Sequence, residues 1–332
     1  MDSLPSATLF IWIGSNDGSW LAAKMKGKLV ALTFAERCKN ILAANCQAYL
    51  NTIKADAKGS KDDIHTSRIH YMLKKGKPYI WVKEGDLHNV NVIIDERGSL
   101  AVSAVVPGSI MRLLRSMGKA PARVALAGDV IPLKDNKVQA LSEGLLQHLE
   151  KVENYASHSS YAVSALLSSA SINCKSRMET FQEILDQNSN YVAHKFNISS
   201  CSYVDGSGNI HDAEVGEVQA PKADLLFPFA EKLIDGINQS QPRRRALMLF
   251  CLEYYNAHAR DALMLSIDQY GFDVLAKVSQ SMTSNIQNLE YVWKEFRFSF
   301  KEEASDLETF CNLLIGLEEE VLQSVRSYSG LH

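Results

Sequence analysis

What the sequence lacks excludes several classes of protein. No apolar run approaches the roughly 18–20 residues that a membrane-spanning helix needs, so we expect a soluble, intracellular chain without a membrane span. The start, MDSLPSATLFIWIGSNDGSW, has no basic region before its apolar stretch, and Asp2 and Asp17 come early. This start predicts neither a secretory signal nor an ordinary organellar presequence.

Paired cysteines and catalytic motifs are also missing. The six cysteines form no CxxC pair and no tight Cys/His spacing, which predicts reduced thiols and no zinc site. His65 and His70 lack the i, i+4 spacing of a helical metal pair, so no metal ligands are predicted. No Gly-rich phosphate loop or nucleophile elbow is present, so we predict no catalytic residues.

Charge of one sign is not in excess. With 35 basic and 38 acidic residues, the chain as a whole has no field that would attract nucleic acid or an anionic membrane. The densest basic cluster is Arg243–Arg245, which could attract an acidic partner or RNA. It lies just after Pro242 without interleaved aromatic residues, which favours a solvated helix start. A nucleic-acid partner is therefore not expected.

What is present indicates a packed protein of about two domains. The chain has 332 residues, of which 46% are hydrophobic. Between residues 33 and 57, apolar residues recur at spacings of three, four and seven, which predicts an amphipathic helix. The following KADAKGSKDD, residues 54–63, is typical of a linker. Residues 1–60 are therefore predicted to be an N-terminal helical segment with its linker.

The next part, residues 61–220, changes to a period of two. After a short helix at 67–74, strands are predicted at 78–84, 90–96, 99–105, 122–133 and 191–204, with a hairpin turn at 96–98. Ser109 is predicted to cap a helix over 109–117, and a further helix covers 138–152. Short strands with helices between them favour a small β-barrel with helical covers.

From Pro221 onward the pattern changes again. Helices are predicted at 223–238 and 243–255, followed by two strands that turn at 269–271 and a third strand at 291–300. A closing helix over 305–325 carries Ser305 and Glu308 at the spacing of a capping box. We assign residues 221–332 to a C-terminal helix-helix-strands-helix module.

The C-terminal order resembles the module behind the barrel in the split-barrel haem oxygenase family, which belongs to the FMN-binding, pyridoxamine phosphate oxidase-like split barrels. Plant plastid relatives include the glutamyl-tRNA reductase-binding protein. The matching residues are Ile267, Asp268, Gly271, Phe272, Arg297, Phe298 and Phe300. The fold class that this implies is α+β: an FMN-binding-type split β-barrel, a small α/β C-terminal module and an N-terminal helix.

The resemblance also implies a ligand and a setting, with departures. Relatives open the C-terminal module with a His-Met-Asn-x-Asp-His type of helix, whereas this chain has DGINQSQPRRRALMLF and lacks both histidines. Haem or FMN are the implied cofactors, and the lost positions favour binding or regulation over catalysis. The implied partners are a second copy of the chain and a tetrapyrrole or tetrapyrrole-pathway protein in plastids. The alternative is an FMN-dependent oxidoreductase or haem-degrading oxygenase that uses the same pocket.

Four residues are predicted to form an anion pocket for that ligand: Ser109, Arg112, Arg115 and Arg123. Free N–H groups at a helix start and guanidinium groups both bind phosphate or propionate. The alternative is that the arginines form a solvated helix face.

Two further groups of residues are candidates for a chemical role, as a haem ligand or as an acid/base group. One histidine could be an axial haem ligand, although a lone histidine on a strand or turn is more often structural or exposed. The histidines concerned are His194, His211 and His258. The carboxylates Glu253, Asp261 and Asp268 lie close in sequence, but Asp268 is more simply a turn residue.

Overall fold

The chain forms a closed barrel with helical covers, joined to a smaller helix-and-sheet module. The computed structural model describes residues 32–56, 59–157, 160–170, 177–186, 190–220, 226–279 and 291–329. Within these ranges no helix is both long and apolar enough to cross a membrane. The five cysteines in them, Cys38, Cys46, Cys201, Cys251 and Cys311, are thiols, as predicted; Cys174 lies outside the described residues.

The barrel is an antiparallel sheet whose strands run in the order β3-β2-β1-β4-β5-β6-β7. Pairing of β3 with β6 closes six of these strands into a barrel, and β7 extends β6 as a hairpin. The strands are β1 Gln47–Asp56, β2 Gly59–Lys74, β3 Lys77–Lys83, β4 Arg97–Ser103, β5 Arg123–Pro132, β6 Tyr191–Val204 and β7 Ile210–Ala213.

Alternation along the strands fills the barrel. On β5, Val124, Leu126 and Val130 are buried while their sequence neighbours face outward, which is the period of two expected for a strand with one covered face. Helix α1, Phe34–Ala44, closes over this core with Cys38 and Leu42. A capping box of Thr33 and Glu36 fixes where α1 begins.

The N-terminal prediction was wrong beyond residue 44. The predicted helix over 33–57 ends at Ala44, and residues 47–56 form β1, which pairs with β2 and β4. The predicted linker at 54–63 is the closed end of the β1–β2 hairpin, where Asp56 pairs with Gly59. The predicted short helix at 67–74 is also part of β2. The barrel sheet therefore begins before the predicted boundary at residue 61.

The predicted strand at 90–96 was wrong as well, because His88–Ile94 form helix α2. The buried side chains of α2 are His88, Asn91 and Val92, whereas Val90, Ile93 and Ile94 are exposed. The helix therefore turns two polar side chains inward and leaves three of its four β-branched ones outward, so tertiary contacts override the strand preference of its sequence. The predicted hairpin turn at 96–98 is the start of β4.

Helices cover the outside of the barrel. Helix α3, Gly108–Ser116, follows β4. The described parts of the chain between β5 and β6 form three helices, α4 Asp135–Ser157, α5 Tyr161–Ser168 and α6 Arg177–Asp186. Leu141, Leu145 and Leu149 of α4 pack with Phe181 of α6 over Trp81 of β3. Trp81 and Phe181 meet edge to face at 5.1 Å between ring centroids. A short helix α7, Val215–Gln219, follows β7.

The C-terminal module packs helices on one face of a three-stranded antiparallel sheet, in the order β10-β9-β8. After a 3-10 turn at Phe227–Phe229, its elements are α8 Ala230–Gln239, α9 Gln241–Tyr255, β8 Ala259–Asp268, β9 Gly271–Ser279, β10 Tyr291–Ser299 and α10 Leu307–Ser329. Pro242 stands in the first turn of α9, as predicted, where its missing N–H costs nothing.

The core of this module includes two helices from the barrel half of the chain. Ile110 and Leu114 of α3 and Val163 and Leu166 of α5 are buried in the same cluster as the C-terminal residues. Lys119, just after α3, pairs with Glu295 of β10 at 2.5 Å. Two helices of the barrel half therefore share the core of the module, whereas the barrel interior forms a separate cluster.

Two local features at the end of the module differ in how well the sequence predicted them. Gly271 opens β9 with a φ of 151°, and a Cβ there would lie 1.9 Å from the Phe298 carbonyl oxygen, so the predicted turn needs glycine. The predicted Ser305–Glu308 capping box was wrong. Asp306 caps α10 instead, since its Oδ1 accepts the Thr309 N–H at 2.8 Å.

Candidate functional site

The four predicted anion-binding residues lie on the outer surface. Ser109, Arg112 and Arg115 are exposed on α3, and Arg123 is exposed at the start of β5. Ser109 is not the helix cap, because α3 begins at Gly108 after Pro107 and has no side-chain cap. The opposite face of α3 is buried in the C-terminal core, so the exposed face points away from that module.

The fold brings Arg123 to the same end of the barrel as the start of α3. Arg123 pairs with Ser103, the last residue of β4, and the four residues after Ser103 lead into α3. Among the described residues, none forms an ion pair with Arg112, Arg115 or Arg123. The surface can therefore present three guanidinium groups without described ion-pair partners, with Arg123 near the start of α3, Arg112 at its middle and Arg115 in its last turn. Guanidinium groups of this kind are suited to binding an anion.

Two of the three arginines of the second basic cluster form ion pairs, whereas Arg245 is exposed. Arg243 on α9 donates to both carboxylate oxygens of Glu318 on α10 at 3.1 Å, and Arg244 pairs with Asp261 on β8. Burial raises the pKa of Glu318, and the Arg243 guanidinium opposes that change. Arg243 and Arg244 hold α9 against α10 and β8, and the carboxylates of Glu318 and Asp261 offset their charge.

The carboxylates weighed as acid/base groups are also in structural contacts. Asp268 accepts two hydrogen bonds from Arg297, at 2.5 and 2.8 Å, and accepts the Tyr270 N–H at the β8–β9 turn. Glu253 accepts from Ser324 of α10. The residues that carried the resemblance thus include a buried ion pair, next to rings of Phe272 and Phe298 stacked at 5.3 Å.

The three histidines weighed as haem ligands have different surroundings. His211 stacks on Phe34 with 4.1 Å between ring centroids and lies 3.7 Å from Asp205, whereas His258 is exposed. His194 is buried inside the barrel on β6, and burial lowers its pKa to about 4. Its Nδ1 has no hydrogen-bond partner among the described residues.

A second polar cluster, which the sequence did not indicate, lies at the α2 end of the barrel. His65 of β2, Asp86 of the turn after β3 and His88 at the start of α2 each place a donor atom within 4.8 Å of the others. His65 Nε2 is 2.9 Å from Asp86 Oδ1, and His88 Nε2 is 4.0 Å from that oxygen. We call these three residues the barrel-end triad.

Hydrogen bonds orient two members of the barrel-end triad. Asp86 accepts the Ser67 hydroxyl at 2.8 Å and the His88 N–H at 3.0 Å. His88 Nδ1 lies 2.7 Å from the Thr52 hydroxyl, which also accepts a hydrogen bond from Asn91 at 2.9 Å. Thr52 and His65 are direct partners in the β1–β2 register, so both side chains lie on the same face of the sheet.

Burial and these contacts set the charge of the cluster. Burial lowers the pKa of His88 to about 4 against the attraction of Asp86, and His65 and His194 lower it further. Burial alone would raise the pKa of Asp86, but the hydrogen bonds from His88, Ser67 and His65 bring it below the ordinary value. At neutral pH the cluster therefore holds a neutral His88 beside an ionised Asp86.

Comparisons with known proteins concern the fold. No protein-family model matches the chain, and no curated protein matches its sequence. Among solved structures, a heme binding protein from Mycobacterium smegmatis is similar with a TM-score of 0.52 and 20% identity, over 89% of this chain and all of that one. The fold is a split β-barrel.

Two other solved structures are more distant. A protein of Clostridium acetobutylicum related to general stress protein 26, of the pyridoxinephosphate oxidase family, has a TM-score of 0.34 and 10% identity, over 56% of this chain and 96% of that one. Campylobacter jejuni ChuZ has a TM-score of 0.35 and 13% identity, over 58% of this chain and 65% of that one.

Proposed function

We propose that this chain is a binding or regulatory protein that holds haem or a related anionic tetrapyrrole without turning it over. The observation that carries the proposal is the exposed surface of Ser109, Arg112, Arg115 and Arg123, because three guanidinium groups without described ion-pair partners suit propionate groups. The full-length likeness to a heme binding protein supports the same ligand class.

The proposal extends to the setting that the sequence resemblance implies. A role in plastid tetrapyrrole metabolism, and a protein of that pathway such as glutamyl-tRNA reductase as a partner, rest on that resemblance alone. Spectroscopy of the purified chain tests the ligand first. Haemin should shift its Soret band on binding, and a reductant should leave the bound haem intact. Co-purified flavin, or loss of the Soret band with release of a bile pigment, would contradict a purely binding role.

The site is tested by charge reversal. Arg112→Glu with Arg115→Glu should weaken haemin binding at least about tenfold, since a hydrogen bond to a charged group contributes roughly 1.5–3 kcal/mol. The thermal unfolding midpoint should hardly change because both side chains are exposed. Lys134→Glu with Lys137→Glu, at exposed positions by the start of α4, makes the same change in net charge and should bind haemin normally. Equal binding by both double variants would remove the arginine surface from the proposal.

We further propose that the protein acts as a homodimer. Helix α2 exposes an apolar face, in which Leu87, Val90, Ile93 and Ile94 are 53–74% accessible, and a face of this kind suits a contact between identical copies. Light scattering should give the mass of a dimer for the unaltered chain and of a monomer for Ile93→Asp. A monomeric unaltered chain would overturn this part.

A further inference from the structure

We propose that the barrel-end triad of His65, Asp86 and His88 binds a divalent transition-metal ion of the zinc type. The site is separate from the arginine surface on α3, and the inference does not depend on haem binding.

The separations of the donor atoms fit a single ion. Zinc lies about 2.0–2.2 Å from nitrogen and oxygen ligands, so two ligands of one ion are at most about 4.4 Å apart. His65 Nε2 and His88 Nε2 lie 2.9 and 4.0 Å from Asp86 Oδ1, both within that limit. All three donor atoms lie within 4.8 Å of one another, which is close to the limit for a single ion. A small rotation of the partly exposed His65 ring would bring its nitrogen within that limit of His88.

The Nε2 atom of His88 gives a second reason to expect a bound ion. His88 is 0% exposed, and its Nε2 has no hydrogen-bond partner among the described residues. A buried polar atom left without a partner costs about 1–3 kcal/mol. This nitrogen faces Asp86 at a distance too long for a hydrogen bond but suitable for a shared ion. Metal ligation therefore accounts for an atom that the protein contacts leave unsatisfied.

The surrounding contacts are those of a supported metal site. Thr52 is placed to accept a hydrogen bond from His88 Nδ1–H, which leaves the lone pair on Nε2 for the ion. Ser67 donates to the Asp86 oxygen Oδ2, while Oδ1 accepts the backbone N–H of His88 and lies beside both imidazoles. Such outer contacts fix the orientation of ligands before the ion arrives.

The ligand set also selects the class of ion. Two imidazoles with one carboxylate suit zinc and its first-row neighbours, whereas magnesium and calcium prefer oxygen ligands alone. The side chains of His65 and Asp86 are 23% and 19% exposed, so water can reach the ion from that side. Three protein ligands and a solvent position are the arrangement of an open zinc site. The ion would tie β2, the β3–α2 turn and α2 together.

The test is a titration of the purified full chain after treatment with a chelator. Zinc should bind with one equivalent per chain in calorimetry and raise the thermal unfolding midpoint. Cobalt(II) should give the visible absorption of an ion with nitrogen and oxygen ligands. His65→Ala and Asp86→Ala should each weaken binding more than about hundredfold, since outer-contact changes alone cost 10–100-fold. Thr52→Val should fall in that smaller range.

A matched control keeps the result specific. His211→Ala removes a histidine that also lies near a carboxylate, Asp205, but among the residues that the structure describes it has no third donor beside it. It should bind zinc and cobalt as the unaltered chain does. The circular dichroism spectra of all variants should match, and His65→Ala and Asp86→Ala avoid the wholly buried His88 for that reason. Absence of binding to the unaltered chain, or full binding by His65→Ala and Asp86→Ala, would overturn the proposal.

Discussion

Replacing His194 tests whether a neutral, buried imidazole limits stability in acid. His194 is 1% exposed on β6 and points into the barrel on the same side of the strand as Phe196. Burial lowers its pKa from 6.5 to about 4, although a hydrogen bond with the Val192 backbone opposes the change. His194→Leu replaces the imidazole with an apolar side chain of similar length and so removes the titrating group.

The sign and size follow from proton linkage. Because the folded-state pKa lies below the ordinary value, the unfolded chain binds the proton first, and stability falls as pH drops from 6.5 towards 4. Above that window the residue contributes no pH dependence. For one such histidine the loss is about 2 kcal/mol at about pH 5 and about 3 kcal/mol below the folded-state pKa.

Urea unfolding followed by circular dichroism, at about pH 7.5 and about pH 5, measures the effect. The unaltered chain should lose about 2 kcal/mol more between these conditions than His194→Leu does. His88, whose pKa is also lowered to about 4, keeps most of its own contribution in the variant, because burial is the largest cause of its shift and the charge of His194 is only one of the smaller ones. The exposed His258 serves as control, and His258→Asn should behave as the unaltered chain. The same acid loss in His194→Leu, or an NMR titration of His194 near its ordinary pKa, would refute the reasoning.

The remaining predictions concern the C-terminal module. Arg297→Met should lower the free energy of unfolding by about 3–5 kcal/mol, because it leaves the buried Asp268 carboxylate unpaired; adding Asp268→Leu should recover part of that loss. If urea unfolding shows Arg297→Met to be neutral, the pair is not buried as described. Gly236→Ala should be destabilising by thermal melting, since its Cβ would lie 2.2 Å from the Leu166 carbonyl oxygen where α8 meets α5. Gly316→Ala on α10 meets nothing within 4 Å and should raise stability by about 0.5–1 kcal/mol; destabilisation of both variants alike would contradict the close contact at Gly236.

Elements whose signals are local could be predicted from the sequence. Strand β5 alternates along its length and β3 is rich in β-branched and aromatic residues, whereas Pro242 and Gly271 mark a helix start and a turn by their own backbone restrictions. The C-terminal module was therefore predicted nearly element by element. Its α8 is shorter than predicted and begins at Ala230, after the 3-10 turn.

Elements decided by distant contacts could not be predicted in this way. The apolar spacing around Leu42, Cys46 and Leu50 fits one helix, yet the chain changes from helix to strand after Ala44, because β1 pairs with strands on both sides. The sequence of α2 predicts a strand because it is rich in β-branched residues. Only the contacts of His88 and Asn91 at the polar end of the barrel favour a helix.

The barrel-end triad was missed for the same reason. It joins a strand, a turn and the first residue of α2, and the prediction of a strand at 90–96 separated His88 from the other two. The only sequence signal was the Asp86-x-His88 spacing, which is too common to indicate a site alone. The arginine surface was predicted because a helix start after a barrel strand can be recognised from sequence, and its role as a ligand site stays a prediction.

The core that two helices of the barrel half share with the module has a consequence for biosynthesis. Residues 47–204 supply all six strands that close the barrel, so the barrel can form while the ribosome is still translating the rest. Ile110 and Leu114 of α3, however, have their apolar partners in segments up to α10, which is translated long after the barrel strands. Until then the nascent chain exposes the apolar face of α3 beside a completed barrel. A chaperone would be expected to bind this face. A chain cut after β10 would lack α10, so this apolar face should stay partly exposed. The shortened chain should therefore aggregate although every strand that closes the barrel is intact.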